Sequence, residues 1–416
     1  MAEPAGSAIP EAERGMRAAL RVRDFRLLWI GQAVSYLGDQ FHFVALAWLT
    51  LLLTGSALAL GTVLMVAAVP RAVLMLAGGA ITDRFSQRVL MLLSDSTRAV
   101  LVTLLAALVL TGNAQLWQLY ILGFIFGIMD AVFIPAGQAI IPSLVDEARL
   151  TGANALMQAA NSATSLLGPV AAGALVAVLT GVRGIGIALA VDAATFYISA
   201  LFLTLRRGRG GLEQESSDQN LLESIRDGLR YAWHDPIMRA LLIAIAGIDV
   251  TAAGVFDVGL PLLGRSHFGG SVAFGIMVSG FGAGALLGVI GAGMIKKPRH
   301  RGIFAVGILA LFGTGTAILP LAPNVAVATV MIALMGVGGG FINVLIMPWI
   351  QARTDPTMQG RIASLIMLAS VGLTPVSFAV AGWIASFTLM GLFVAGGAII
   401  LTTAAYTALS PARTID

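Results

Sequence analysis

The chain has 416 residues, of which 58% are hydrophobic and only 11% charged, and its formal net charge is +4. A soluble domain carries about a quarter charged residues, so this composition excludes a water-soluble protein and indicates a polytopic membrane protein. The basic residues are spread among loops, which is not the pattern of nucleic-acid binding. The absence of cysteine excludes disulfides and thiol chemistry, and the four histidines are scattered and form no metal-ligand cluster.

Long apolar runs predict membrane-spanning helices, because a span needs about 20 apolar residues. Only helices and closed barrels satisfy the backbone hydrogen bonds within a lipid bilayer. Unbroken apolar runs do not match the alternating pattern of barrel strands. We therefore expect an all-α integral membrane protein with twelve transmembrane helices. The first six are predicted near 27–54, 57–81, 89–111, 115–139, 154–180 and 184–205. The second six are predicted near 237–263, 271–295, 302–320, 324–350, 361–386 and 389–409.

The distribution of Lys and Arg predicts the orientation. Residues 1–26 are polar and mixed in charge, which predicts a cytoplasmic N-terminal segment rather than a cleavable signal peptide. All the basic residues except four fall on the face that holds both termini. The exceptions are Arg71 and Arg98 within spans, and Arg183 and Arg265 in loops of the other face. Both termini are therefore expected to be cytoplasmic.

A charged turn separates the second and third predicted spans. It contains Gly79, Asp83, Arg84 and Arg88. Glycine beside the turn lets two helices approach closely. We expect a gate between helices at this turn; the alternative is an ordinary cytoplasmic loop that carries arginine.

The one long polar segment, 206–236, predicts a cytoplasmic linker. Within it, apolar residues recur at helical spacing with charges between them, at Leu222, Ile225, Leu229 and Trp233. This pattern predicts an amphipathic helix at the membrane interface that ties two halves together.

The linker divides the chain into two six-helix halves, 27–205 and 237–410, with a cytoplasmic tail at 411–416. The halves echo each other: Phe133-Ile134 corresponds to Phe341-Ile342, and at the same offset Thr151-Gly152 corresponds to Gln359-Gly360. Pseudo-symmetric halves place a binding site between them, near the middle of the membrane.

With these features the sequence resembles the major facilitator superfamily over nearly its whole length. The signature loop of that family, Gly-x-Leu-x-Asp-Arg-x-Gly-Arg-Arg/Lys, is matched here by Gly79, Ile81, Asp83, Arg84 and Arg88, with Ser86-Gln87 at the Gly-Arg positions. Further stretches resemble the macrolide-efflux and enterobactin-exporter branch of drug:proton antiporters. They are Val22 to Arg26, Gly38-Asp39, Asp95 to Arg98, Phe133 to Val145 and Asp227 to Trp233.

The resemblance implies the major facilitator fold and export of amphipathic small molecules, drug-like or siderophore-like, from a bacterial cytoplasmic (inner) membrane. It implies protons as coupling ions and a proton gradient rather than a cofactor as the energy source. The family's antiporter motif in the fifth helix is partial here: Gly168-Pro169 is followed by Ala171-Ala172-Gly173. Proline kinks a helix, so an antiporter kink and an ordinary kinked span both remain open.

Carboxylates within predicted spans are costly and need partners, water or a function. Asp39 is the expected proton-coupling residue, because a carboxyl group in a low-dielectric cavity can bind and release protons near neutral pH. His42 lies three residues on, on the same helical face, and is a candidate to assist proton coupling; the alternative is a packed histidine that only forms hydrogen bonds. The alternative is a structural partner for Asp39, Arg71 or Arg98. Three further carboxylates are expected to line the cavity, where they would bind a cationic substrate or relay protons: Asp130, Asp192 and Asp249.

Two further expectations concern charges in the spans. Asp95 and Arg98, at i and i+3, are expected to neutralise each other or to join a gating network with the Asp83 turn. Asp257 is expected near the wet outer end of the seventh span.

Other functions remain open. A lipid or lysophospholipid flippase on the same fold is the main alternative, and an uptake symporter is a weaker one. A channel is a further alternative, and its flux would not saturate as the substrate concentration rises. An enzyme is not expected, because no nucleophile–base or metal constellation is found. A nucleotide-binding Gly-x4-Gly-Lys-Ser/Thr loop is absent too, so the energy must come from a gradient. Partners are expected to be the substrate, protons and lipid, and one chain suffices for the pathway.

Overall fold

The computed structural model describes residues 11–179, 181–206, 229–294, 301–354 and 358–414. Over these ranges it contains twelve helices that are long and apolar enough to cross a membrane. The predicted all-α fold with twelve spans is confirmed.

The helices follow one another with short connections. The first half consists of α1 (Glu11–Arg21), α2 (Arg23–Thr54), α3 (Ala57–Arg84), α4 (Gln87–Leu110), α5 (Leu116–Ile140), α6 (Glu147–Val178) and α7 (Gly181–Thr204). The second half consists of α8 (Pro236–Ser266), α9 (Ser271–Met294), α10 (Arg301–Ile318), α11 (Val325–Arg353), α12 (Gln359–Met367, then Thr374–Phe387) and α13 (Leu389–Leu409). Short 3-10 turns lie at Ile141–Ser143, Leu319–Leu321 and Pro411–Thr414.

Helix ends depart most from the sequence prediction where the chain leaves the apolar layer. The fifth span was expected from residue 154, but α6 begins at Glu147. A helix can continue into water when its residues are polar. An acidic residue in the first turn stabilises the helix, because it lies at the positive end of the helix dipole. Apolar length therefore marks the membrane-embedded part of a helix and not its whole extent.

The N-terminal segment contains a helix that the sequence prediction missed. Helix α1 packs against the start of α6, and Ala19 is buried in a small apolar core shared with Phe25 and Ala153. The linker lies mostly outside the described residues, so the amphipathic helix stays a prediction. Its last part, 229–234, is helical, with Leu229 and Trp233 exposed.

Two spans of the second half contain π-helical stretches, at Ala253–Gly259 in α8 and Leu368–Gly372 in α12. A π turn is rare and is frequent at functional sites. Both stretches contact α3 of the first half, so the irregular backbone lies at the boundary between the halves.

The two halves meet mainly through α6 against α9 and α3 against α12. We call the end of the bundle where Glu11 and Thr414 lie the terminal face, and the other end the opposite face. Near the opposite face, a Cβ atom on Gly61 would lie 2.8 Å from Gly382 Cα. There too the Ser271 hydroxyl donates to the Gly173 carbonyl at 3.0 Å. These contacts close the bundle at the opposite face.

Candidate functional site

Charged side chains from five spans meet inside the first half. The N-half charge cluster consists of Asp39 and His42 on α2, Arg71 on α3, Asp95 and Arg98 on α4, Asp130 on α5, and Asp192 on α7. Four carboxylates thus share two guanidinium groups and one imidazole. The structure brings together most of the buried charges singled out in the sequence.

His42 pairs with Asp192. Its Nδ1 lies 2.9 Å from Asp192 Oδ2, and the Asp192 side chain is fully buried. The imidazole stacks on Phe126 with centroids 4.6 Å apart. Gly38, one residue before Asp39, allows this approach of α2 to α7, since a Cβ there would lie 2.9 Å from Asp192 Oδ1. Asp39 and His42 share a helical face, but His42 is the one that pairs with Asp192.

Arg98 is the buried cation of the cluster. Its guanidinium forms an ion pair with Asp130 and lies 4.7 Å from the ring centroid of Phe133, with Phe126 and Phe196 at 5.7 and 5.6 Å. Aromatic faces attract a desolvated cation. Arg98 is thus held by one carboxylate and three rings.

Asp95 and Arg98, which we expected to neutralise each other, form no direct ion pair in the described chain, although Arg98 lies close enough to act electrostatically on Asp95. Arg98 reaches across to Asp130 on the neighbouring α5, while Asp95 accepts a hydrogen bond from the Ser199 hydroxyl at 2.6 Å. The Gln32 amide in turn donates to Ser199 at 3.4 Å. Spacing along α4 shows that two side chains share a face, but partners on other helices decide the pairing.

Asp39 has charged neighbours and no hydrogen-bond donor among the described residues. It interacts electrostatically with Asp192, Arg98, Asp130 and Asp95, three of which carry its own sign. The structural partner that we considered for Asp39, a direct ion pair with Arg71 or Arg98, is not formed within the described chain.

Several polar atoms of the cluster are buried without a partner: Asp95 Oδ1, Asp192 Oδ1, Arg98 Nε and Arg71 Nε. A buried unsatisfied polar group costs about 1–3 kcal/mol, and more when it is charged. The described side chains therefore leave part of the hydrogen-bonding capacity of the cluster unsatisfied.

The second half contributes two carboxylates on α8. The Ser370 hydroxyl, in the π-helical stretch of α12, donates to Asp249 Oδ2. Asp257 lies in the π-helical stretch of α8 and interacts with Arg71 of the other half. Asp257, which we expected near the wet outer end of the span, is half-buried, and its interaction with Arg71 places it at the boundary between the halves.

Arg71 stands between the halves. Its Nη1 lies 3.9 Å from Asp130 Oδ2 on its own half, and Asp257 lies on the other side. About a third of its side chain is exposed, and the exposure of Asp130 is similar. These two residues form the solvent-exposed part of the cluster, whereas Asp95 and Asp192 form its fully buried part.

The predicted gate is only partly visible. The side chains of Gly79, Asp83 and Arg84 lie outside the described part of the chain, so their gating role stays a prediction. Arg88 donates to the carbonyls of Leu203 at 2.9 Å and Thr204 at 2.8 Å. It binds the C-terminal end of α7, where carbonyls lack helical partners.

The predicted kink lies at the crossing of α6 and α9. Pro169 is inside α6, and a Cβ on Gly168 would lie 2.5 Å from Gln40 Cγ. The backbone N–H of Val170 donates to the Ser279 hydroxyl of the other half at 3.2 Å. Pro169 therefore lies where the two halves meet, whereas Gly168 packs against α2 of its own half.

The sequence analysis missed the small hydroxyl residues that complete these sites, Ser199 and Ser370. One signal was available for Ser199, which lies two helical turns from Asp192 on the same face of α7. Within the described ranges no group of three or more His, Asp or Glu side chains is placed to hold a metal ion.

Twelve spans in two halves, with a charge cluster inside and contacts that close one face, define a membrane transport protein. The family model of the Major Facilitator Superfamily matches residues 28–375. The chain belongs to this superfamily, as the sequence resemblance implied.

Two curated relatives are named for export. The multidrug efflux pump Tap of Mycolicibacterium fortuitum is 24% identical over 356 residues, which cover 83% of this chain and 85% of Tap. Macrolide efflux protein A of Streptococcus pyogenes is 25% identical over 345 residues, which cover 82% of this chain and 84% of that protein.

Solved structures share the fold. The nucleoside transporter NupG aligns with a TM-score of 0.68 at 12% identity, over 93% of this chain and 96% of NupG. A bacterial homologue of the iron transporter ferroportin, in an inward-facing state, aligns with a TM-score of 0.63 at 18% identity, over 93% and 98% of the two chains.

Proposed function

We propose that this transporter exports amphipathic small molecules in exchange for protons, by alternating access. The N-half charge cluster carries this proposal. Its four carboxylates have only two guanidinium groups and one imidazole to neutralise them. An ionised carboxylate without a partner is costly inside a membrane protein. Binding a proton removes that cost, so the cluster is suited to take up and release protons.

In this proposal Asp39 is the main proton-binding group. No described residue donates a hydrogen bond to it, and three carboxylates surround it. Asp192 and His42 form the second site, because a proton there would be shared between the imidazole and a fully buried carboxylate. Asp130 and Arg71 connect both to the space between the halves.

Features of the second half and the names of the relatives support the proposed substrate class. Asp249 and Asp257 face inward from α8, and the nearest cation described for Asp257, Arg71, belongs to the other half. Phe256, the residue before Asp257 in α8, packs edge to face on Phe281, with ring centroids 4.9 Å apart. Carboxylates beside aromatic rings suit a cationic amphipathic compound. The relatives named for macrolide and multidrug efflux support the same class.

The orientation in the membrane rests on the distribution of charge, and the direction of transport on the relatives named for efflux. The terminal face carries nearly all the basic residues and is the cytoplasmic side in this proposal. The structure, closed at the opposite face, is then the state that takes up substrate from the cytoplasm. A single chain in the bacterial inner membrane provides the pathway.

Transport in proteoliposomes tests the proposal. Purified protein is reconstituted with a pH gradient and an internal pH dye, and macrolides, lipophilic cations and catecholate siderophores are added in turn. We expect at least one compound to discharge the gradient with the wild-type protein. Asp39→Asn should abolish that response.

The matched control is Asp146→Asn. Asp146 is exposed near the terminal face and pairs only with Arg149 among the described residues, at 3.5 Å. This variant should discharge the gradient as the wild type does. Normal uphill export by Asp39→Asn would contradict the assignment of Asp39. If no compound discharges the gradient, but a fluorescent lysolipid is translocated, the flippase alternative replaces drug export.

A further inference from the structure

An arginine of the second half binds the end of the first span. The Nη1 atom of Arg265, in the last turn of α8, donates a hydrogen bond to the backbone carbonyl of Leu51 in α2. The same carbonyl accepts the N–H of Gly55 at 2.9 Å. Gly55 has a φ of 64°, the left-handed conformation that ends helices. The contact therefore lies at the C-terminus of α2, on the opposite face.

The chemistry of a helix end explains why a cation belongs there. The last carbonyls of a helix have no partners within the helix and carry partial negative charge. Helix α2 has no basic residue in its own last turn, whereas α8 ends with Arg265. The guanidinium of Arg265, carried by the last turn of α8, thus binds the C-terminus of a helix of the other half.

The position of Arg265 makes this bond depend on conformation. It lies on the same face as the Gly61–Gly382 contact and the hydrogen bond from Ser271 to Gly173. A cavity of about 500 Å³ beside it is lined by Gly55, Arg265, Leu262 and Leu389 among others. The guanidinium therefore has space to withdraw when the halves separate.

We infer that Arg265 is a latch that holds the opposite face closed. Its bond to Leu51 is made when the halves meet there and must break when they part. The inference goes beyond the proposed function, because it holds for any substrate and any coupling ion. Arg265 acts as a positioning residue and not as part of the binding site.

Distances between spin labels test the latch directly. The chain has no cysteine, so labels attach only at introduced sites. One pair, Asn113 and Leu321, reports the opposite face; the other, Ala148 and Leu409, reports the terminal face. All four residues are exposed. Measurements are made on purified protein in lipid nanodiscs, without substrate or a proton gradient.

Arg265→Gln should raise the ratio of open to closed molecules at the opposite face by about tenfold. This is the change expected when a charge-assisted hydrogen bond is lost. The Asn113–Leu321 distance should lengthen while the Ala148–Leu409 distance shortens. Arg265→Lys, which keeps the charge but not the planar fork, should give an intermediate population. The matched control is Arg183→Gln, because Arg183 is exposed on the same face and has no hydrogen bond or ion pair to the described chain.

Unchanged distances in both Arg265 variants would overturn the latch. So would an equal shift in Arg183→Gln, because the effect would then reflect the charge of the face. If Arg265→Gln does not fold, Arg265→Lys decides: a shift toward the open population supports the latch, and a wild-type distribution overturns it. The readout needs no transport, so its failure is separate from failure of the proposed export.

Discussion

The charged residues of the cluster differ in how well neighbouring side chains compensate their charges. Arg98 is buried against Asp130 and three aromatic rings. Removing one partner of a buried ion pair leaves an uncompensated charge, which costs about 3–5 kcal/mol, whereas removing both charges is often nearly neutral. The pair therefore allows a test of pairing that is independent of transport.

We predict that Arg98→Met destabilises the folded protein by about 3 kcal/mol and that Arg98→Met with Asp130→Asn recovers much of this loss. Unfolding in detergent, followed by helical circular dichroism, measures both free energies. The Asp130→Asn single variant completes the cycle. If the double variant is as unstable as the sum of the single variants, Arg98 and Asp130 do not act as a pair.

Asp235 is the N-cap of α8, outside the membrane. Its Oδ1 accepts the N–H groups of Ile237 at 2.8 Å and Met238 at 3.4 Å, and its Oδ2 accepts from Arg353 Nε at 3.1 Å. Burial alone would raise the pKa of Asp235. The hydrogen bonds from Ile237, Arg353 and Met238 outweigh it and hold the pKa below its usual value.

Because the pKa of Asp235 is lower in the folded protein, its carboxylate stabilises the fold fully at pH values above the unfolded pKa of about 3.9. This stabilisation is lost as the pH falls through the lower pKa of the folded state. We expect Asp235→Ala to cost about 1 kcal/mol at pH 7. This difference from the wild type should shrink when melts are repeated from pH 5 to about pH 3. A difference independent of pH would show that the charge of Asp235 contributes nothing.

Elements of the fold were predicted from sequence where the signal is local. The twelve spans follow from apolar length, and α13 has the predicted bounds, 389–409. Helix α1 was missed because its apolar face is short and is completed only by packing on α6. The π turns were missed because a single inserted residue leaves hydropathy unchanged.

The same distinction holds for the site. The sequence identified Asp39, Asp130 and Asp192 as charges within spans, because an intramembrane carboxylate is conspicuous in any apolar run. It did not predict that Arg98 pairs with Asp130 rather than Asp95, since that choice depends on how α4 packs against α5. Local spacing predicts the members of a cluster, and tertiary packing decides its pairs.

The docking of α1 depends on a close approach of two glycines. A Cβ atom on Gly152 of α6 would lie 2.6 Å from the carbonyl oxygen of Gly15. We predict that Gly152→Val displaces α1 and costs about 1–3 kcal/mol. Limited trypsin digestion should then cleave faster at Arg17 and Arg21, which lie in α1.

A control for this prediction is Gly307→Val on α10. A Cβ at Gly307 meets nothing within 4 Å, so the substitution tests valine in a span without a steric clash. Cleavage in α1 should match that of the wild type. Equal cleavage in Gly152→Val and the wild type would show that α1 does not depend on this contact.

The whole molecule couples its halves through charge as well as through packing. Arg71 faces Asp130 in its own half and Asp257 in the other. A proton that neutralises a carboxylate of the cluster changes how strongly the first half holds Arg71. This gives a physical route from proton binding to movement between the halves, since coupling requires contacts that differ between states.

We therefore predict that Arg71→Gln lowers uphill export by at least about tenfold, within the usual range of coupling energies. Downhill flux should be less affected, and Arg71→Lys should keep part of the coupling. Paired measurements of gradient-driven and downhill flux in proteoliposomes separate the two effects. Equal losses in both would indicate a general defect rather than lost coupling.

The most direct test of proton exchange is the release of protons on substrate binding. Purified protein in weakly buffered detergent solution, with a pH-sensitive dye, is mixed with a compound that discharges the gradient in proteoliposomes. The wild type and Asp146→Asn should release protons in proportion to bound substrate, and Asp39→Asn should bind substrate while releasing few or none. Wild-type proton release by Asp39→Asn would contradict the central role of Asp39, and binding without release by the wild type would contradict proton exchange itself.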